Sequence, residues 1–439
     1  MRSAVHDGTQ STPALRGALA AAYRCLGPHD ARLFRLLSVC PGPDVSSAAA
    51  AILAVTDPGT VTARHQELAS MAGSGRSRRL LFRRFNFLYD REIKAAHGAL
   101  TAPARMRLVT RDVMDPDRWQ LPDLVRPFAA AQGREHAKED LRDQARALLF
   151  LYYLAGTHAA SGHLEADYPD PASDGFPDEQ RAVAWLEAEY PNLIATVVAT
   201  VGGDELDAII GLSMTRSLVR ITSLRERFDD AVTIGLIARQ AARRLNDRHA
   251  EAVVLRNLGG ALMETGRPGE AISQLQDARA AFQELGDLAG DATTLTNLGA
   301  AYRLANRYDE AVSTLRAAAA HHRTGRPYSE AVALGNLGGA LMMTGQFDEA
   351  VEVLRQADRI YRQIGELHGR SASLANLGGA LRLAGRAEEA IKPYRNAAAL
   401  ARAAGAQNQA HRFLASLADT YRQIGQHAEA SAIQQDLGN

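Results

Sequence analysis

The chain has 439 residues, 46% of them apolar, which is enough for two or three domains with cores of their own. Fifty basic residues balance fifty acidic ones, so the molecule as a whole is neither a polyanion seeker nor an acidic solvating chain, and any charged surface must be local. Two cysteines, Cys25 and Cys40, argue against a disulfide framework and suit a reducing cytoplasm; residues 1–12 are polar rather than signal-like, and apolar runs such as 147–155 are too short to span a bilayer.

In chain order, residues 1–14 read as a disordered lead-in. A helical pattern then runs through Leu15, Leu19, Tyr23 and Leu26, breaks at Gly27-Pro28, and restarts at Asp30 with Leu33, Phe34, Leu36 and Leu37 on one broad face. Pro41-Gly-Pro-Asp ends it, and Ser46-Ser47 opens a small alanine-rich helix. Residues 70–118 hold Gly73-Ser-Gly, an arginine-rich amphipathic run over 76–91, and a predicted strand at Met106–Thr110. A long helix is expected over 124–160, with Phe128, Leu148, Leu149, Leu151, Tyr152 and Tyr153 inward. Residues 167–180 are a linker, because Pro169, Pro171 and Pro177 exclude regular helix. Helices resume at Gln180, pass through Trp185-Leu186 and Leu193-Ile194, and continue to the end. This divides the chain into a domain over 15–166, the linker, and a repeat domain over 181–439.

The repeats declare themselves through one alanine, at Ala231, Ala271, Ala311, Ala350, Ala390 and Ala430, spaced by 40, 40, 39, 40 and 40 residues. A period in this range marks a solenoid. Before each alanine lies a turn, and before four of them a helix carrying Asn-Leu-Gly at Asn257, Asn297, Asn336 and Asn376. Leu295, Leu298, Gly299 and Tyr302 fall on one stripe, and Ala311, Leu315 and Ala318 on a second. Gly299 and Ala311 are small where helices must cross closely. Neither helix can bury its stripe alone, so adjacent units complete each core.

This unit resembles the tetratricopeptide repeat, specifically over 252–278, 292–318, 331–357 and 371–397, and more weakly over 411–437 and 212–238, giving about six repeats. The fold expected is mostly α, with an N-terminal winged-helix-like and helical domain followed by a tetratricopeptide α-solenoid. The resemblance implies a concave groove lined by first-helix residues off the packing stripe. On this sequence those are Arg256, Gly260, Met263 and Glu264; Thr296, Ala300, Arg303 and Leu304; Gly339, Met342 and Met343; Gly379, Arg382 and Leu383; and Asp419, Arg422 and Gln423. Asn297, Asn336 and Asn376 either meet a ligand backbone or bridge neighbouring helices. Arg303, Arg382 and Arg422 either grip an acidic partner or are merely solvated.

Three stretches of the N-terminal half, namely 15–50 with Pro41-Gly-Pro-Asp-Val-Ser, 119–129 with Leu124-Val-Arg-Pro-Phe-Ala, and Ala184-Trp-Leu-Glu-Ala-Glu-Tyr-Pro-Asn-Leu, resemble the winged-helix segment and repeat entry of bacterial STAND/NB-ARC-type regulators. The chain departs from that family in having no Gly-x-x-x-x-Gly-Lys-Ser/Thr, and Pro122 stands where the family has histidine. The resemblance therefore implies the arm and the reader of such a switch without its motor.

No His-Glu-x-x-His, Gly-x-Ser-x-Gly or Cys-x-x-Cys occurs, and His321-His322 reads as a surface pair in an inter-repeat loop. The expectation is a cytoplasmic, non-catalytic adaptor without cofactor or metal, binding a protein or peptide in its groove and associating with no membrane. The alternative is DNA binding by the N-terminal half, where Arg78, Arg79, Arg83 and Arg84 interleave with Phe82, Phe85 and Phe87.

Overall fold

The computed structural model describes residues 13–54, 89–164, 176–323 and 325–438. The arginine run with Arg78, Arg79, Arg83 and Arg84 lies outside the described residues, as do most of the 1–14 lead-in and the centre of the 167–180 linker. The Cα packing divides the chain into two compact units, 1–247 and 248–439.

In the first unit α1 (Pro13–Arg24) and α2 (Pro28–Leu36) are separated at Gly27, with proline opening α2 where its missing N–H costs nothing. Strand β1 (Val45–Ser46) leads into α3 (Ser47–Ala54), and α4 (Tyr89–Arg105) leads into a hairpin of β2 (Thr110–Arg111) and β3 (Arg118–Gln120). The sheet order is β1-β3-β2, antiparallel throughout, with Val45 opposite Trp119 and Arg111 opposite Trp119 on the other side. Helices α2, α3 and α4 pack on one another. The strand expected at 106–110 is thus shifted: Met106 follows the end of α4, and pairing begins at Thr110.

The long helix expected over 124–160 is two helices, α5 (Arg126–Glu135) and α6 (Arg142–His163). The break is at Leu141, whose φ of 51° is left-handed and cannot continue an α-helix. The inward residues are as expected, with Leu148, Leu149, Leu151, Tyr152 and Tyr153 buried. Phe128 is half-buried against Tyr23 and Phe34.

Helices α7 (Glu179–Ala199), α8 (Glu205–Leu224) and α9 (Phe228–Arg244) complete the unit. Asp178 and Asp204 cap the first two, each accepting a backbone N–H three residues on. One apolar cluster runs from Leu19 through Leu186, Leu193, Ile210 and Met214 to Ile234, so α7 to α9 share the core of the N-terminal helices.

The second unit is five helix pairs: α10 (Arg248–Glu264) with α11 (Pro268–Glu284), α12 (Leu288–Leu304) with α13 (Tyr308–His322), α14 (Pro327–Met343) with α15 (Phe347–Ile364), α16 (Leu367–Leu383) with α17 (Ala387–Ala403), and α18 (Gln407–Gln423) with α19 (His427–Gly438). The turn inside each pair needs one left-handed residue, supplied by Gly266, Gly345, Gly385 and Gly425 at φ of 71°, 75°, 77° and 80°, and by Asn306 at 59°. Both predicted stripes are buried: Leu295, Leu298 and Tyr302 on α12, and Ala311, Leu315 and Ala318 on α13. A Cβ on Gly299 would lie 2.4 Å from Leu315 Cγ, and one on Gly338 would lie 2.5 Å from Leu354 Cγ. The Asn-Leu-Gly glycine therefore admits the second helix of its own repeat. Among the first helices, α10 also packs on α12, α12 on α14 and α14 on α16, which forms an inner layer of first helices in a mostly α solenoid.

Candidate functional site: the first-helix face of the repeats

Positions five, nine and twelve of each first helix, counted so that the Asn-Leu-Gly asparagine is six, follow one another from repeat to repeat across this inner layer. The floor is open at position nine. There, a Cβ on Gly339 would come no nearer than 3.7 Å to Arg303 Cδ, and one on Gly379 would meet only Tyr394 Oη at 3.6 Å and Met342 Sδ at 3.7 Å. The side chain at position twelve of one repeat thus lies over the small residue of the next. This relation holds for Arg303 over Gly339 and for Met342 over Gly379.

Position twelve reads Met263, Arg303, Met342, Arg382 and Arg422, the first four half-buried. Beside them, Leu304, Met343 and Leu383 are exposed by 45%, 57% and 47%, an apolar row repeating along the first helices. Arg382 reaches the Tyr394 hydroxyl, while burial and the approach of Asp419 push that phenol up. Arg422 differs from the other two arginines: it is exposed and its guanidinium is held by Asp419 one turn earlier on α18. Arg256 lies 5.6 Å from the centre of the Phe282 ring, and desolvation lowers its affinity for its proton. Asn297 and Asn336 are half-buried and Asn376 is exposed.

A second polar cluster lies in the first unit. Arg118 on β3 bonds Asp44 at 2.5 Å and both oxygens of buried Glu189 at 3.3 Å, and Asn192 donates to Glu189 at 2.6 Å and to Asp44 at 3.1 Å. Arg126 donates to the carbonyls of Cys40, Gly42 and Pro43. The three stretches that carry the resemblance in this half therefore meet at one place. Gly42 is required there, since its Cβ would fall 1.8 Å from Asn192 Oδ1. Cys40 beside it is buried and its thiol is pushed up to about 12, so it is no nucleophile at neutral pH.

Ser47, His97 and Asp117 form a cluster that spacing in the sequence did not reveal. His97 Nε2 is 2.8 Å from Ser47 Oγ and 3.2 Å from Asp117 Oδ1. A catalytic triad needs serine and acid on opposite ring nitrogens, whereas both face the same one here. Ser47 Oγ is further engaged by the indole N–H of Trp119 and by the Asp117 carbonyl. The cluster pins the hairpin to α3 and α4. Among the described residues no group of three or more His, Cys, Asp or Glu could hold a metal ion, and no helix is long and apolar enough to cross a membrane.

His322 departs from the sequence reading. It is the last residue of α13, only 1% exposed, and its Nε2 is 3.2 Å from Thr296 Oγ1.

These features define a helical-repeat protein whose inner helix layer presents a surface of small, apolar and arginine side chains. Residues 251–324 and 329–403 match the tetratricopeptide repeat family model, so these are tetratricopeptide repeats. No curated protein sequence matches the chain. Among solved structures it is similar to BtubC from P. vanneervenii, at 18% identity over 48% of this chain and 89% of that one with a TM-score of 0.43. It is also similar to a signal transduction ATPase with numerous domains and a tetratricopeptide repeat sensor from Pyrococcus horikoshii, at 13% identity over 98% of this chain and 66% of that one with a TM-score of 0.46. A third is a Rap protein complexed with competence and sporulation factor, at 13% identity over 72% and 94% with a TM-score of 0.42.

Proposed function

We propose that the protein is a non-catalytic interaction adaptor whose repeats capture a peptide or helix of a partner protein along the first-helix face. The observation that carries this reading is the exposed row Leu304, Met343 and Leu383 beside Arg303 and Arg382 over a floor of glycine and alanine. Exposed apolar side chains gain by being covered, and half-buried guanidinium groups make strong bidentate bonds to carboxylates. The partner segment is therefore apolar with acidic residues or a terminal carboxylate. Arg422 contributes less than the other two arginines, because Asp419 already holds it.

The test is capture of native partners by the full chain against an Arg303→Ala/Arg382→Ala variant and a Met343→Asp variant, with folding checked by circular dichroism. Loss of capture in both supports the groove. Equal capture by folded variants places the binding surface elsewhere.

In the N-terminal unit, the winged-helix reading is supported, among the described residues, by α4 leading into the hairpin and by the sheet order β1-β3-β2. DNA binding by it is disfavoured by two features. The hairpin tip carries Asp112, Asp115 and Asp117, which repel phosphate, and the exposed side of α4 after residue 92 shows Lys94, Ala95, Gly98, Thr101 and Arg105, with little basic charge. We infer that this unit serves regulation, with Arg118, Glu189 and Asn192 fastening the hairpin to α7. A cytoplasmic location fits both readings.

A further inference from the structure

The repeats meet at joints between each second helix and the next first helix, and the joint between α13 and α14 is built unlike its neighbours. At the α11–α12 joint the buried Phe282 ring fills the space that a Cβ on Gly290 would need, 2.4 Å away, and Arg279 bonds Asp291 at 3.1 Å. At the α15–α16 joint buried Tyr361 stands against Gly369 in the same way, and the ion pair recurs with its signs exchanged, Asp358 to Arg370 at 2.9 Å. Between these two, the spacing of the repeat alanines drops to 39. Gly325 takes a φ of 138° where Gly286 and Gly365 take 68° and 75°. Ala319 stands in place of Arg279 and Asp358, so no such ion pair forms, and His322 stands in place of the aromatic ring.

His322 is buried, with its Nε2 facing Thr296 Oγ1 and the Ala292 carbonyl. Thr296 Oγ1 gives its own proton to the Ala292 carbonyl at 3.2 Å, so it accepts from Nε2–H of a neutral imidazole at 3.2 Å. That leaves Nδ1 as the bare nitrogen, buried and without a hydrogen-bond partner. We propose that the α13–α14 joint is a proton-sensitive hinge in the repeat stack, closed by neutral His322 and opened when that ring takes up a second proton.

Protonation would place a new N–H where no acceptor faces it, which costs the desolvation of a charged donor. The surrounding charges do not help. His321 on the same helix and Arg323 and Arg326 in the loop are basic, and the carboxylates of the flanking helices are engaged elsewhere: Asp291 by Arg279 and Gln283, Glu330 by Gln356 and Arg323. Burial accordingly lowers the affinity of His322 for a proton, with Arg326 and His321 adding to it and the Ala292 carbonyl opposing. In the opened joint the ring regains the ordinary histidine value of about 6.5. Opening is therefore insensitive to pH well above that value and grows as pH falls below it, by up to about tenfold at pH 5.5.

Hydrogen exchange of the full chain at pH 7.5 and 5.5, corrected for intrinsic rates, reads the hinge directly and needs no partner. Protection in α13 and α14 is expected to fall by up to about tenfold at the lower pH, with α15 and α16 unchanged. His322→Phe, which installs the ring of the neighbouring joints, should abolish the fall, and His321→Gln should keep it. His322→Gln serves if the phenylalanine does not fold, and should likewise remove the pH dependence. A fall that is equal at both joints, absent from both, or retained in the His322 variants overturns the hinge. So does a folded-state imidazole resonance for His322 that titrates at the ordinary value.

Discussion

Gly299 and Gly338 decide how closely the two helices of a repeat approach, since any side chain there would enter the leucine packed against it. Gly299→Leu and Gly338→Leu are expected to destabilise the chain by about 1–3 kcal/mol or more through overpacking, read as lowered midpoints in denaturant melts; unchanged midpoints for both would undo the assigned crossing. The exchanged ion pairs give a second expectation. Arg370→Asp should cost stability by facing Asp358 with a like charge, and adding Asp358→Arg should restore it, because the Arg279–Asp291 joint already shows that polarity working. With both side chains about a quarter exposed or less, a coupling of about 1 kcal/mol is expected from the double-mutant cycle. Neither this exchange nor the burial of His322 was legible in the sequence, because each depends on which residues face each other across a joint. A run of two histidines shortly before a glycine and a proline looks like a loop until the helix is seen to include them. The stripe residues were legible, since a periodicity of small and large side chains directly encodes a crossing.

At the scale of elements, sequence signals with a local cause were readable and those with a tertiary cause were not. Gly27-Pro28 stops a helix by its own chemistry, and the structure breaks there. The break at Leu141 has no glycine or proline at it. Leu141 takes a positive φ there, and a leucine in that conformation is tolerated only where the surroundings hold it. Strands β1 and β3 are two and three residues long, too short to show alternation. The apolar cluster shared by α2, α6, α7 and α8 yields a prediction about where the chain can be cut. A fragment over 248–439 is expected to be soluble and helical, since solenoid repeats draw stability from their neighbours. A fragment over 181–439 would expose Leu186, Leu193, Val197 and Ile210, all buried in the first unit, and should aggregate or lose helicity in α7 and α8. Circular dichroism and light scattering of both fragments settle the choice: a well-behaved 181–439 would restore the proline-bearing segment as the boundary.

For the whole molecule, the balance of 50 basic and 50 acidic residues leaves no net field to hold nucleic acid, so duplex binding must come from a local patch. The described part of the N-terminal unit argues against one, with three aspartates at the hairpin tip and Met114 and Val113 there 92% exposed. The candidates to supply the patch are Arg78, Arg79, Arg83 and Arg84, which lie outside the described residues. If they did, four phosphate contacts would make the affinity fall with salt with a log–log slope of about −3.6. The expectation is a duplex affinity too weak to measure near physiological salt, and a fluorescence-anisotropy titration at low salt that changes little when the four arginines become alanine. Tight binding with that slope, abolished by the fourfold substitution, would make the N-terminal unit the functional surface and the repeats its accessory. The apolar row at Leu304, Met343 and Leu383 would then stay uncovered, and that is why capture of a protein segment is the stronger expectation: covering exposed apolar side chains that repeat along one face is favourable.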